Sequence, residues 1–266
     1  MCLVHLVFRV HADMEVLLAG NRDEFFRRPS APPAVIAREP AVHAGKDLEA
    51  GGTWMGRNAH GLLAAITNRY STKPGGSERQ VPPDVRSRGE IVLGLLGHVD
   101  AESAAEWVDR LPVARYRPFN LLFGDVLRFY YFSSEDGAPP RPLQPGFHAL
   151  SNSTLDDHAW PKVARSHAFF EANRGLSGED YLERLQFFFR DATPPDSLST
   201  ADRNEEIHGA MGAVMITTPE YGTVSSSIIT AGGSLGERYY FADGQSLRGE
   251  GNSGDLGPYR LISFDD

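Results

Sequence analysis

The first 25 residues contain two apolar stretches separated by a short polar one, a pattern typical of a β-hairpin. Residues 3–10 are rich in β-branched and aromatic side chains, residues 11–13 are polar, and residues 16–19 are apolar again. Such runs, joined by a polar turn, predict two antiparallel strands. The polar segment 20–24 predicts a loop after the second strand. The proline-rich stretch 29–40 then excludes a regular helix, because proline lacks the N–H that a helix needs.

Apolar spacing along the rest of the chain predicts helices in the middle and strands on both sides. Helical spacing covers residues 89–96, 101–111, 160–173 and 181–189. Strand-like runs cover residues 53–55, 62–67, 121–123, 127–132, 213–217, 226–230, 238–241 and 259–264. Residues 190–204 are the best candidate for a linker. This order is not the βαβ alternation of a doubly wound sheet, so it predicts an α+β fold with antiparallel sheet covered by helices.

Composition and charge narrow the class of protein. The chain has 266 residues, 41% of them hydrophobic, and a formal net charge of −9. This negative balance argues against a nucleic-acid partner, which would require a basic surface. The single cysteine excludes a disulfide framework and a cysteine-based zinc site. No targeting segment is visible, and no apolar run approaches the roughly 20 residues of a membrane span. These features predict a cytoplasmic location without a membrane span.

Two glycine-rich motifs match known patterns but occur in the wrong context. Residues 249–254 fit G-x-G-x-x-G, yet they end too near the C-terminus to open the helix of a dinucleotide-binding unit. Residues 232–236 fit the G-x-S-x-G nucleophile elbow, but strands flank them and no histidine follows. We interpret the first as a surface loop and the second as a β-turn. The histidines show no spacing typical of zinc ligands, so no metal site is predicted.

The only cysteine is Cys2, directly behind the initiator Met1. Removal of Met1 would leave a residue that carries both a thiol and a free α-amine. Since an α-amine with a pKa near 7.7–8.0 is partly neutral at pH 7, it can act as the general base for its own thiol. The alternative is an ordinary small residue that begins a buried strand, which is a common use of free cysteine.

Three other segments bear on this choice. The sequence Gly20-Asn21-Arg22-Asp23-Glu24 ends the predicted hairpin, which brings its charges near Cys2. Asn68 and Asn152 each follow a predicted strand. Amide N–H groups at strand ends can stabilise a developing oxyanion. The alternative is that each residue satisfies local turn backbone, the commoner use of Asn and Asp.

A family resemblance rests on these same segments. Asn21-Arg22-Asp23-Glu24 resembles the signature of the NRDE family, also called the transport-and-Golgi-organisation family. The resemblance continues in order along the chain through Gly51-Gly52-Thr53-Trp54-Met55-Gly56, Leu63-Ala64-Ala65-Ile66-Thr67-Asn68, Arg88-Gly89-Glu90, Phe119-Asn120-Leu121, Leu150-Ser151-Asn152 and Tyr221-Gly222-Thr223. It implies a single domain over residues 1–266. It also implies a similarity to N-terminal-nucleophile hydrolases, whose fold is a four-layer αββα sandwich.

The resemblance assigns roles by position. Cys2 resembles the nucleophile of those hydrolases. Arg22 and Asp23 resemble the arginine and aspartate that flank this nucleophile and orient its amine. Asn68 and Asn152 resemble the asparagines that bind the oxyanion and orient the amine. Val224 departs from the pattern, because the motif Tyr221-Gly222-Thr223 is usually followed by an arginine of the catalytic site. Either the missing charge weakens hydrolysis, or Arg22 or Arg69 supplies it and Val224 is strand packing.

Two functions of different classes follow. The first is a cysteine amidohydrolase or acyltransferase that acts on a non-peptide acyl amide and needs no cofactor. The second is a non-catalytic haem-binding or haem-trafficking protein on the same fold, with Cys2, His5 or His60 as candidate ligands. A mature N-terminus at Cys2 would favour chemistry, whereas a retained Met1 would favour binding. The partner is therefore expected to be a small acyl amide or haem.

Overall fold

A computed structural model describes residues 3–70, 84–195, 211–244 and 256–264. Its six-stranded sheet, here called the first sheet, has the order β10-β1-β2-β11-β12-β13, and its seven-stranded second sheet has the order β3-β4-β5-β6-β7-β8-β9. All pairings between these strands are antiparallel. The strands are β1 Leu3–His11, β2 Met14–Phe25, β3 Ser30–Arg38, β4 Ala41–Asp47, β5 Met55–Asn58, β6 Leu63–Asn68, β7 Phe119–Gly124, β8 Phe129–Ser133, β9 Arg141–Pro142, β10 Gly146–Leu150, β11 Tyr221–Ala231, β12 Arg238–Asp243 and β13 Arg260–Leu261.

The helices lie on the outer faces of the two sheets. Helices α1 (Gly89–Leu95) and α2 (Ala101–Asp109) share one apolar cluster with the second sheet. Helices α3 (Pro161–Asn173) and α4 (Gly178–Phe188) share another with the first sheet. A third cluster, which includes Leu6, Leu18, Leu122 and Tyr131, fills the space between the sheets. This arrangement confirms the predicted α+β sandwich with four layers in the order αββα.

The N-terminal hairpin is confirmed, but the predicted loop over residues 20–24 is wrong. Strand β2 continues through these residues to Phe25, paired with β1 on one side and β11 on the other. Asn21, Arg22 and Asp23 are each at most 4% exposed. Their polarity suggested a solvent-exposed turn, whereas neighbouring strands enclose them and other polar groups contact their side chains.

The proline-rich stretch forms β3, the edge strand of the second sheet. Its pairing with β4 shifts register between Ala31 and Ala34, where Pro32 and Pro33 lie. An edge is where a sheet tolerates proline, because the missing N–H faces away from the ladder. Strand β4 was not predicted, since its apolar residues are interrupted by His43, Gly45 and Lys46.

Near the C-terminus, two predicted strands are shorter or absent. Residues 213–217 form no strand, and only Thr217 makes an isolated bridge, to Gly222. In 259–264, only Arg260–Leu261 pairs with β12. Residues 232–236 connect β11 to β12, which confirms the turn. The predicted loop at 249–254 and part of the predicted linker at 190–204 lie outside the described residues.

The four predicted helices all exist, with ends within a few residues of the expected positions. Pro161 occupies the first turn of α3, where its missing N–H costs no hydrogen bond. The longest helix among the described residues, α3, has 13 residues. Within the described ranges, no helix has both the length and the apolar character to cross a membrane.

Candidate active site

The predicted site residues that the structure describes lie around the N-terminal end of β1. Leu3, the first residue of that strand, pairs with Asn21 of β2, and Val4 pairs with Leu150 of β10. The segments that carry Arg22 and Asn152 therefore flank the end of the strand that Cys2 precedes. Met1 and Cys2 themselves lie outside the described residues.

Arg22 extends from β2 toward the second sheet. Its Nη2 lies 3.5 Å from the Oδ2 of Asp47, and its Nη1 donates to the Ser30 hydroxyl over 3.2 Å. Its guanidinium also lies 4.5 Å from the centre of a Trp54 ring, a cation–π geometry. Arg28 contacts the same Asp47 oxygen over 2.9 Å. Arg22 is thus a fixed, buried positive charge between the sheets, and Trp54 of the Gly-Gly-Thr-Trp motif helps to hold it.

Asp23 lies on the other face of β2, as the alternation of a strand requires. Its Oδ1 accepts from the Thr223 hydroxyl over 2.7 Å, and its Oδ2 lies 3.2 Å from the Nζ of Lys162. The side chains of Asp23 and Lys162 are both fully buried. The Tyr221 hydroxyl donates to the Asp23 carbonyl over 2.9 Å. Residues of the Tyr-Gly-Thr motif and of α3 therefore fix this carboxylate.

Asn68 and Asn152 are directly connected. The Asn152 amide donates to the Asn68 carbonyl over 2.8 Å, and the Tyr70 N–H donates to the Asn152 carbonyl over 2.8 Å. Asn152 is fully buried, whereas Asn68 is partly exposed. Because a carboxamide nitrogen has two donors, this bond leaves Asn152 one further N–H. The structure thus joins the two asparagine segments, and their oxyanion role stays a prediction.

Three polar residues to which the sequence analysis assigned no role hold this region. Thr223 and Lys162 bind Asp23, and Asn120 of β7 donates to the Thr67 hydroxyl over 3.2 Å and to the Ser153 carbonyl over 2.9 Å. One signal was available for Lys162. It falls on the buried stripe of α3 at four-residue spacing with Ser166 and Phe170, where a lysine is unexpected.

Val224 lies in an irregularity of β11. Thr223 pairs with Asp23 and Ser225 pairs with Arg22, so Val224 is an extra residue in a β-bulge beside the two charged site residues. Its side chain is fully buried, and its carbonyl accepts from the Gly244 N–H over 2.9 Å.

The two histidines named as candidate haem ligands have very different surroundings. His5 is fully buried under α3 and α4, with its Nε2 2.6 Å from the Ser166 hydroxyl and its ring against Phe147 and Phe189. Burial, with a smaller effect of His167, lowers the pKa of His5 to about 3. This packed site does not fit a haem ligand. His60 is exposed in the turn between β5 and β6.

A comparison with solved structures identifies the fold. A solved structure described as a Caenorhabditis elegans N-acylethanolamine-hydrolyzing acid amidase ortholog matches 98% of this chain and 100% of its own, with a TM-score of 0.60. The sequence identity is 10%, so the likeness shows the fold alone. That fold is the α+β sandwich of N-terminal-nucleophile hydrolases.

Sequence comparisons then identify the family. The family model described as Transport and Golgi organisation 2 matches residues 1–240. The Bos taurus and Homo sapiens proteins named Transport and Golgi organization protein 2 homolog are each 29% identical over 232 residues, which cover 80% of this chain and 81% of theirs. The chain belongs to the Transport and Golgi organisation 2 family, which confirms the resemblance read from the motifs.

Proposed function

We propose that this protein is a cysteine amidohydrolase or acyltransferase of the N-terminal-nucleophile type that acts on a non-peptide acyl amide. The observation that carries the proposal is the strand register around Leu3. It brings Arg22 of β2 and the Asn152 segment after β10 to the end of the strand that follows Cys2. Because consecutive Cα atoms are about 3.8 Å apart, a nucleophile at position 2 acts close to that end.

In this proposal, the candidate site residues take the roles that acyl transfer needs. In the proposed reaction, the α-amine of Cys2 accepts the thiol proton, and the thiolate attacks the amide carbonyl. The C–N bond of the resulting tetrahedral intermediate breaks as the amine returns the proton to the leaving nitrogen. Water, deprotonated by the same amine, then attacks the thioester and releases the acid and the free thiol. Amide N–H groups of Asn68 and Asn152 are the proposed donors to the oxyanion.

The test combines intact mass with activity on wild type, Cys2→Ala and His60→Ala. Wild type is expected to begin at Cys2 and to hydrolyse at least one member of a panel of N-acyl amides. Cys2→Ala should lose about 10³-fold or more of the turnover, because the covalent route is gone. His60→Ala, in an exposed turn, is the matched control and should retain full activity.

The same three proteins distinguish the alternative function. Stoichiometric haem binding by wild type, with no amide turnover and with Met1 retained, would replace the hydrolase proposal by the haem-binding one. Loss of haem binding in Cys2→Ala or in His60→Ala would then identify the ligand.

Replacement of Arg22 is expected to slow alkylation of Cys2. A nearby guanidinium favours a thiolate, so Arg22→Met should raise the thiol pKa and lower the iodoacetamide rate at pH 7 about tenfold per pKa unit. Arg28 still pairs with Asp47, so the variant leaves no lone buried carboxylate. Arg28→Met, which removes the other cation on Asp47, is the control. Equal alkylation rates in wild type and Arg22→Met would contradict the assignment.

A further inference from the structure

Lys162 is a fully buried cation in a position that opposes two physical preferences. Burial disfavours an ammonium that has left water. Lys162 is also the second residue of α3, and the positive end of the helix dipole lies in the first turn, where no acidic residue offsets it. Asp23 compensates the positive charge of Lys162, because its Oδ2 lies 3.2 Å from the Lys162 Nζ. Asp23 therefore lies where it offsets the buried positive charge of Lys162.

Asp23 contacts groups through both of its carboxylate oxygens. The Thr223 hydroxyl donates to Oδ1, and Thr223 itself accepts from the Ile216 N–H over 2.9 Å, so its orientation is fixed. Lys162 contacts Oδ2 from the helix side. A carboxylate held this way is rigid, and its negative charge is balanced before any substrate binds.

We propose that Lys162 is a positioning residue that offsets the charge of Asp23, so that the α-amine of Cys2 is oriented by this carboxylate and yet stays neutral enough to act as the base. The inference rests on the proposed function, in which that amine moves the proton. An uncompensated Asp23 would hold the amine as ammonium, because a nearby negative charge raises the pKa of an amine. An ammonium cannot accept the thiol proton.

The other charged and titratable groups in this region leave that balance in place. Arg22 lies on the opposite face of β2 and contacts Asp47. His5, on the neighbouring strand β1, is neutral at physiological pH because burial lowers its pKa to about 3. The groups on the elements around this end of the sheet are Arg22, Asp23 and Glu24 on β2, His5 on β1, Lys162, Arg165 and His167 on α3, Arg69 after β6, and Tyr221 on β11.

The first measurement needs no variant. Protein labelled with ¹⁵N at cysteine gives the α-amine pKa from the pH dependence of its shift, without reference to hydrolysis. The expected value in wild type is at or below the 7.7–8.0 of a free α-amine. A value clearly above 8 would overturn the inference, since it would show that Asp23 acts on the amine without compensation. A retained Met1 would instead contradict the proposed function, so the two failures are distinct.

The second measurement compares Lys162→Met with Ser166→Ala. Lys162→Met should raise the pKa of the α-amine by about one unit. The acid limb of the pH–rate profile should move to higher pH by the same amount. At a pH below that limb, turnover should fall about tenfold. Adding Asp23→Asn to Lys162→Met should bring the amine pKa back down. Ser166 lies one turn along α3 and donates to the Lys162 carbonyl, so Ser166→Ala tests a purely structural disturbance. An unmoved amine pKa in Lys162→Met, or an equal shift in Ser166→Ala, would overturn the inference.

Discussion

Wild-type protein is expected to lose about 2–3 kcal/mol of unfolding free energy between pH 6.5 and pH 4.5 through His5 alone. The folded protein holds this ring neutral until about pH 3, because burial lowers its pKa. The unfolded chain binds the proton below about pH 6.5. The unfolded state therefore carries more protons across this window, and stability falls as pH falls. Urea unfolding at pH 7, 6, 5 and 4.5 measures the slope.

Two variants separate His5 from the other titrating groups. His5→Leu removes the proton site while Ser166 still donates to the Lys162 carbonyl, so its stability should vary much less with pH in this window. His148 acts in the opposite direction. Burial lowers its pKa, but hydrogen bonds to Asp156 and to the Gln144 carbonyl outweigh burial and raise it. His148→Gln should therefore be less stable than wild type at pH 5. Parallel curves for wild type and His5→Leu would contradict a neutral buried imidazole.

Local patterns in the sequence were sufficient for the elements whose side chains alternate in a regular way. The hairpin of β1 and β2 follows from apolar runs around a polar turn, and the helices follow from their spacing. The extension of β2 through Asn21, Arg22 and Asp23 could not be predicted in this way. Partners far along the chain stabilise those residues in the interior: Lys162 lies 139 residues from Asp23, and Thr223 lies 200 residues from it.

The candidate site could be predicted by residue type but not by geometry. The motifs identified Arg22, Asp23, Asn68 and Asn152, and the structure brings their segments to one end of the first sheet. It also puts Arg22 and Asp23 on opposite faces of β2, because successive side chains of a strand alternate between its faces. A predicted loop has no such alternation, so the sequence analysis could not place the two residues on opposite faces. The expected position of Cys2 among them stays a prediction, because that residue lies outside the described ranges.

Val224→Arg is expected to destabilise the protein by roughly 3–5 kcal/mol, the cost of an unpaired buried charge, and to leave Cys2 no more reactive. Val224 is fully buried in the bulge beside Arg22 and Asp23. Lys162 already offsets the charge of Asp23, so a guanidinium at position 224 would not face an uncompensated carboxylate. Arg22 already supplies a fixed positive charge in this region. The structure therefore favours Val224 as strand packing over the missing catalytic arginine.

Val224→Met makes the test decisive, because it adds length without charge. Overpacking of this kind costs about 1–3 kcal/mol. We expect the methionine variant to fold and the arginine variant to be clearly less stable or unfolded, as measured by urea denaturation. In any folded fraction of the arginine variant, iodoacetamide should alkylate Cys2 no faster than in wild type. An arginine variant as stable as the methionine variant, with faster alkylation of Cys2 or higher amide turnover, would instead show that the bulge accepts a guanidinium. The wild-type protein would then lack a charge that its chemistry can use.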